Sequence, residues 1–313
     1  MFRVVCLARH QPFDWDGALT FLSRRAIAGI EGVEARTYHR TIRCDDQSGT
    51  IEIAADDGSG GVVVTVRGLS GRVVDTAIER VRRMFDLDAD LPAIRAHLGR
   101  DSAMATLVAA HPGIRVFRGW DPFEVAARTV IGQQVTVERA RQLNGTLVDR
   151  CCSTVTRDPA SDLRRLFPTP REVVDADLSG IGMPAARVTA LKNVAAAALA
   201  DPRLLTSAGS IEETVSRLRT IGGIGDWTAH YIAMRACGEP DAFPASDVGL
   251  LRGAADATGR RPTAIELMER AENWRPWRAY AAHLLWAAET GGAKAVRNDA
   301  GRRGSRQRGR PVT

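Results

Sequence analysis

Residues 218–234 read LRTIGGIGDWTAHYIAM. One helix ends near Thr220, three glycines (Gly222, Gly223, Gly225) force a tight turn, and a second helix begins near Asp226. Such a turn exposes several backbone N–H groups at a helix N-terminus, which is an anion site by geometry and dipole. A glycine C-cap between two packed helices gives the same pattern. Trp227 and Tyr231 stand at i,i+4, on one face of the second helix. That spacing describes a packed core or a stacking slot for a flat ligand.

Working outward, aromatic residues are only 5% of the chain, yet Trp227, Tyr231, Phe243, Trp274, Trp277, Tyr280 and Trp286 crowd into residues 227–286. In the same stretch DAFPASDVGLL places Ser246 and Asp247 ahead of a helical segment. Either side chain can cap that helix; Asp247 is also a carboxylate beside the aromatic cluster. Strand signals are confined to the first part of the chain: FRVVCLAR, ARTYHRTIR, GTIEIAAD and VVVTVRG, with helices expected over residues 13–29 and in VVDTAIERVRRMFDL. After His111-Pro112-Gly113 the segments have helical length and spacing, punctuated by Gly and Pro. The expected fold is an α+β N-terminal domain with an antiparallel sheet (1–115), a mainly α-helical body (116–290) and a basic, disordered tail (291–313).

Composition narrows the class. The chain has 313 residues, 44% hydrophobic and 26% charged, which is ordinary globular usage. No apolar run approaches the ~18 residues of a membrane span, and the Arg- and His-broken N-terminus does not read as a signal peptide. Five scattered cysteines without a C-x-x-C point to a reducing, cytoplasmic compartment and to neither a disulfide framework nor a Cys-rich metal site. The net charge of +6 resides in the tail, which holds seven basic residues and Asp299, so residues 1–290 sum to zero. Lys192 and Lys294 are the only lysines.

These motifs together resemble the helix-hairpin-helix DNA glycosylases, and within them the AlkA-type 3-methyladenine DNA glycosylases II. The resemblance runs from residue 1 to about 290. It is carried by FDWDGALTFLSRRA, RMFDLDAD, FEVAARTVIGQQVTV, GIGMPAARVTAL, the hairpin itself and WRPWRAYAAHLLW, in the family's order. It implies that Ile221, Gly222, Gly223, Ile224 and Gly225 form the element that meets a DNA phosphate. The hairpin carbonyls of Ile221 and Ile224 are then the place for a monovalent cation, Na+ or K+, with no other cofactor. Trp227, Tyr231, Phe21 and Trp286 match base-pocket positions, Asp247 the catalytic aspartate, and Gln134 the residue that wedges into DNA behind a flipped base. Gly222 stands where the family's hairpin has proline. Asp226, a candidate cap for the second helix, stands where many relatives carry a basic or neutral residue. Val248 is aliphatic beside the catalytic position, and Gln134 is a polar wedge.

The implied activity is monofunctional excision of alkylated purines (3-methyladenine, 7-methylguanine and related bases) from double-stranded DNA by a monomer, leaving an abasic site. Asp247 would stabilise the sugar's developing positive charge and orient water. A bifunctional lyase of the endonuclease III type shares the hairpin but needs a lysine where Trp227 stands, and commonly four C-terminal cysteines; none follows Cys237. A non-catalytic DNA-binding module accounts for the hairpin and tail but leaves Asp247 and the aromatics without a role. Since the body is neutral and the tail is +6, deleting residues 291–313 is expected to flatten the slope of log K against log[salt] for DNA binding by roughly 4–5. An unchanged slope in a salt titration would make the tail a solvated end.

Overall fold

The computed structural model describes residues 2–56, 58, 60–151 and 162–289. The basic tail, with Lys294, lies outside the described residues. Five strands form one antiparallel sheet: β1 (Phe2–Leu7), β2 (Glu31–Glu34), β3 (Thr37–Cys44), β4 (Gln47–Asp56) and β5 (Gly61–Arg67), in the order β1-β5-β4-β3-β2. Alternate side chains of a strand point to opposite faces. Tyr38 and Ile42, Ile51 and Ile53, and Val62, Val64 and Val66 therefore share one buried face. Helix α1 (Trp15–Ser23) covers it with Ala18, Leu19 and Leu22, and α2 (Arg72–Met84) with Val74, Ala77, Ile78 and Val81.

Two local features differ from the sequence expectation. β2, the run EGVE, has no apolar alternation to announce it. It forms because Ala35 and Arg36 both adopt positive φ (47° and 63°) and reverse the chain in two residues, pairing Glu34 with Thr37. Asn or Gly normally marks such a turn. The helix expected over residues 13–29 ends at Ser23. Beyond it the Arg25 and Ala26 amides bond to Leu22 and Ser23 in single turns, and Arg128 captures the Arg25 carbonyl. Arg25 thereby leaves the helix register.

The remaining helices are α3 (Leu91–Leu98), α4 (Ser102–Ala110), α5 (Pro122–Ile131), α6 (Val137–Cys151), α7 (Pro170–Asp175), α8 (Ala185–Ala200), α9 (Ile211–Arg219), α10 (Asp226–Ile232), α11 (Val248–Gly253), α12 (Ala264–Ala271) and α13 (278–289). Asp90, Asp101, Asp121, Thr169, Ser210 and Thr263 each accept an N–H of the first turn that follows. These helices enclose a second core built on Ala127 and Val130 of α5, Leu191 and Val194 of α8, Leu218, Ile232 and Leu285. Leu91, Ile94, Leu98 and Met104 of α3 and α4 join this helical core and not the sheet's. No helix among the described residues is long and apolar enough to cross a membrane.

A buried charge network bolts sheet to helices. Arg40 of β3 reaches Glu124 of α5 at 2.7 Å, and Arg128 bridges Glu31 at 2.7 Å and Glu124 at 2.8 Å. The Tyr38 hydroxyl donates to Glu31. Burial pushes the Glu31 carboxyl up, but Arg128 and Arg40 outweigh it and hold the group below its usual 4.5. Breaking one member leaves uncompensated buried charge, so Arg40→Met is expected to lower unfolding stability by about 3–5 kcal/mol in urea denaturation. Because the Glu31 pKa is depressed on folding, its contribution is full above pH 4.5 and is lost as pH falls through the folded value. Wild type and variant should therefore converge in acid.

Candidate active site

The hairpin between α9 and α10 is set by what lies beneath it. Ile221 and Ile224 are buried, while Gly222, Gly223 and Gly225 face out. Gly223 has φ +95°, and a Cβ there would stand 2.3 Å from the Ala190 Cβ of α8. Only glycine fits so close an approach. Without a proline at 222, the turn is held by side chains: Asn193 Nδ2 donates to the Gly222 carbonyl at 3.0 Å, and Gln133 Nε2 to the Gly223 carbonyl at 3.3 Å and to Thr228 Oγ1 at 3.0 Å. The amides of Gly222, Gly223 and Gly225 make no hydrogen bond among the described residues. Gly225, and not Asp226, is the N-cap of α10; Asp226 lies in its first turn, 3.7 Å from Arg219 across exposed surface. Gln134 follows Gln133 in the loop between α5 and α6, exposed and with φ 55°.

Asp247 satisfies both readings that the sequence left open. It is the N-cap of α11, with Oδ1 accepting from Leu250 N at 3.0 Å. The same carboxylate accepts from two indoles: Trp286 Nε1 donates to Oδ1 at 2.8 Å and Trp227 Nε1 to Oδ2 at 2.9 Å. Trp227 comes from α10 and Trp286 from α13, so three helices aim donors at one half-buried carboxylate. A carboxylate offers about four acceptor directions; three are taken and one is left. Gly249 makes this possible, because a Cβ there would lie 3.0 Å from both Asp247 Oδ1 and Trp286 Cδ1.

The aromatic residues gather around the same point. The Trp227 and Tyr231 rings stack at 5.3 Å and 21°, and Tyr231 meets Trp286 edge-on at 6.1 Å. Phe21 arrives from α1 of the sheet domain and is joined to them through Arg235, whose guanidinium carbon lies 4.6 Å from the Phe21 ring, 5.5 Å from Tyr231 and 5.7 Å from Trp286. Arg25 covers Phe21 at 4.0 Å. Burial pushes the Tyr231 phenol up, but Arg235 and Arg25 pull it below its ordinary 10. His283, 5.2 Å from Trp286, is held neutral by burial and by the Arg235 charge. Arg235, Arg25, His283 and Gln133 were not read from the sequence. The one available signal was Arg235, a charge four residues beyond Tyr231 in the otherwise apolar run YIAMRAC. A concavity of about 560 Å³ between Glu212, Arg219, His230 and Arg275 includes none of the Asp247 cluster.

Residues 4–121 match the family profile of the AlkA N-terminal domain, and residues 127–278 that of the HhH-GPD superfamily base excision DNA repair protein. The sequence is 30% identical over 283 residues to DNA-3-methyladenine glycosylase 2 of Escherichia coli, covering 89% of this chain and 95% of that one. The chain belongs to the HhH-GPD superfamily. It is also 36% identical over 276 residues to the probable bifunctional transcriptional activator/DNA repair enzyme AlkA of Mycobacterium tuberculosis. That match covers 88% of this chain but 55% of the relative, so the chain spans about half of its length. Among solved HhH-GPD folds, the 3-methyladenine DNA glycosylase from Archaeoglobus fulgidus superposes with a TM-score of 0.77 at 20% identity, covering 92% of this chain and 98% of that one.

Gly249→Ala is expected to press Asp247 and Trp286 slightly apart and to cost on the order of 1 kcal/mol through overpacking. Thermal melting of a double-mutant cycle with Trp286→Phe, which has no N–H to lose, checks the assignment: the penalty should shrink in the Phe background.

Proposed function

We propose that this chain is a monofunctional DNA glycosylase that flips alkylated purines, 3-methyladenine and 7-methylguanine among them, out of double-stranded DNA and hydrolyses their N-glycosidic bond. The single observation that carries the reading is the Asp247 carboxylate, held by Trp227, Trp286 and Leu250 beside stacked aromatic rings. A base inside duplex DNA cannot be reached, so it must leave the stack. The free amides of Gly222, Gly223 and Gly225 suit a backbone phosphate. Exposed Gln134, whose neighbour Gln133 is tied to that same turn, is placed to fill the vacated stack. A flipped base that carries positive charge gains roughly 0.5–2 kcal/mol from the face of an aromatic ring.

As the bond breaks, the sugar becomes an oxocarbenium ion. A carboxylate already fixed in place stabilises it without reorganising at the moment of reaction. The acceptor direction left open on Asp247 can take the attacking water. Lys192, the one lysine among the described residues, has its Nζ bonded to the carbonyls of Val174 and Ala176 at 3.2 and 3.0 Å, and Trp227 occupies the position where lyases carry their amine. Both facts support hydrolysis over Schiff-base chemistry. A Na+ or K+ ion is compatible with the hairpin: among the described residues the Ile221 carbonyl accepts only the Ile224 amide, at 3.0 Å, and keeps a second lone pair for a cation shared with the Ile224 carbonyl. The reading places a monomer in the bacterial cytoplasm, on nucleoid DNA.

Asp247→Asn tests it. The amide must turn its NH2 toward one of the indole N–H groups, so the variant loses both the charge and a clamp. Single-turnover excision from methylated DNA should fall on the order of 10²–10³-fold, the scale of one preorganised electrostatic group. Binding to abasic-analogue DNA should persist, since hairpin and wedge are untouched. A folded variant that cuts at the wild-type rate reduces Asp247 to a helix cap.

A further inference from the structure

The base pocket contains its own positive charge. Arg235 is 5% exposed and sits in a π-helical turn, Ala233–Cys237, that continues α10. Widened turns of this kind recur at functional sites. One of its terminal nitrogens donates to the Phe117 carbonyl, while its Nε has no hydrogen-bond partner. Among the described residues no carboxylate pairs with it, nor with Arg25, whose Nη1 donates to the Phe21 carbonyl at 3.2 Å. Other buried arginines have a carboxylate at hand: Arg40 and Arg128 face Glu31 and Glu124, Arg278 faces Asp241, and Arg115, which donates to the backbone carbonyls of Asp86 and His10, feels the Asp86 charge. Arg235 and Arg25 face no such carboxylate among the described residues; Arg235 lies over Phe21, Tyr231 and Trp286, and Arg25 over Phe21. Burial lowers the pKa of both, Arg25 to about 10; a guanidinium is basic enough to keep its proton in a protein.

Their effect follows from electron counting. As C1′–N9 breaks, its electron pair goes to the base. A 7-methylated guanine arrives as a cation and leaves neutral. Hypoxanthine arrives neutral and leaves as an anion, which water then protonates. In either case the sugar takes the positive charge, water adds at C1′ and its proton is lost to solvent. The base becomes one unit more negative in both reactions, so a cationic pocket favours the bond-breaking step in both. The two substrates differ before reaction: the pocket repels the cationic base on entry and does not repel the neutral one.

Resting on the glycosylase reading, we propose that Arg235, seconded by Arg25, is a specificity-determining group that stabilises the electron pair of the departing base and extends excision to neutral, deaminated purines. A purely structural Arg235 would anchor the Phe117 carbonyl and affect every substrate alike. Charge removal separates the two accounts, because for the cationic base it relieves entry as well as hindering departure.

The test compares duplexes carrying a single hypoxanthine or a single 7-methylguanine, with single-turnover rates measured across enzyme concentration. For Arg235→Gln, kcat/KM on hypoxanthine should fall on the order of 10²-fold. On 7-methylguanine kcat and KM should fall together, leaving kcat/KM within about threefold, as when ground-state repulsion is removed. Arg235→Lys, which keeps the charge, should restore most of the hypoxanthine activity. Arg25→Gln should shift the ratio in the same direction by less, and it carries the test if melting shows Arg235→Gln unfolded. Equal losses on both bases in the folded variants overturn the proposal. Wild-type enzyme that releases 7-methylguanine but not hypoxanthine overturns it while leaving the glycosylase reading intact; release of neither base overturns both.

Discussion

One carboxylate, Asp247, is the point on which the helical body converges. Its two oxygens accept from an indole of α10, an indole of α13 and the first turn of α11. Hydrogen bonds to a charged acceptor are the strong ones, and here they also fix direction. Each constrains a different helix, so the site is sensitive to the packing of all three. Two glycines carry that packing. Gly249 lets Trp286 reach the carboxylate. Gly253 lets α11 lie against α13, where a Cβ would stand 2.0 Å from the Leu285 carbonyl.

The hairpin and the loop of Gln133 and Gln134 form a second unit built on the same helix. α10 starts at the glycine turn and carries Trp227 and Tyr231 within its first two turns. Whatever holds the turn thus also positions the aromatic rings. Gln133 makes the link explicit, because one side-chain amide grips both Gly223 and Thr228 while its neighbour Gln134 projects outward. The glycine turn and the exposed Gln134 side chain are thus linked by a few covalent bonds and one hydrogen-bonded side chain.

The sheet domain is not a bystander to the aromatic cluster. It supplies Phe21 and Arg25, and the buried Glu31, Arg40, Glu124 and Arg128 network keeps it in register with α5. Arg128 serves both ends, binding the two glutamates and the Arg25 carbonyl. Tyr280 adds a second tie, its hydroxyl donating to Asp86 at 2.7 Å. The boundary between sheet and helices is accordingly a bonded interface, with part of the aromatic cluster lying across it.

Local spacing made much of this legible in advance. The glycine turn, the Trp227–Tyr231 pair at i,i+4, Asp247 at a helix start and the alternating strands β3, β4 and β5 all depend on neighbours within a few residues, and sequence records such neighbours directly. β2 escaped because two ordinary residues, Ala35 and Arg36, adopt a turn usually marked by glycine or asparagine. The roles of the aromatics escaped in part for another reason. Trp286 meets Asp247 across 39 residues, and Arg235 meets Phe21 across more than half the chain. Nothing in either local pattern specifies such a meeting. By itself the sequence determined most of the elements, which side chains are chemically able to act, and the family to which they point. Only the tertiary structure decided that two indoles spend their N–H groups on the carboxylate, and that two guanidiniums with carbonyl but no carboxylate partners meet at Phe21. Both follow from long-range packing, in which close backbone approaches at Gly223, Gly249 and Gly253 bring distant helices within hydrogen-bonding reach.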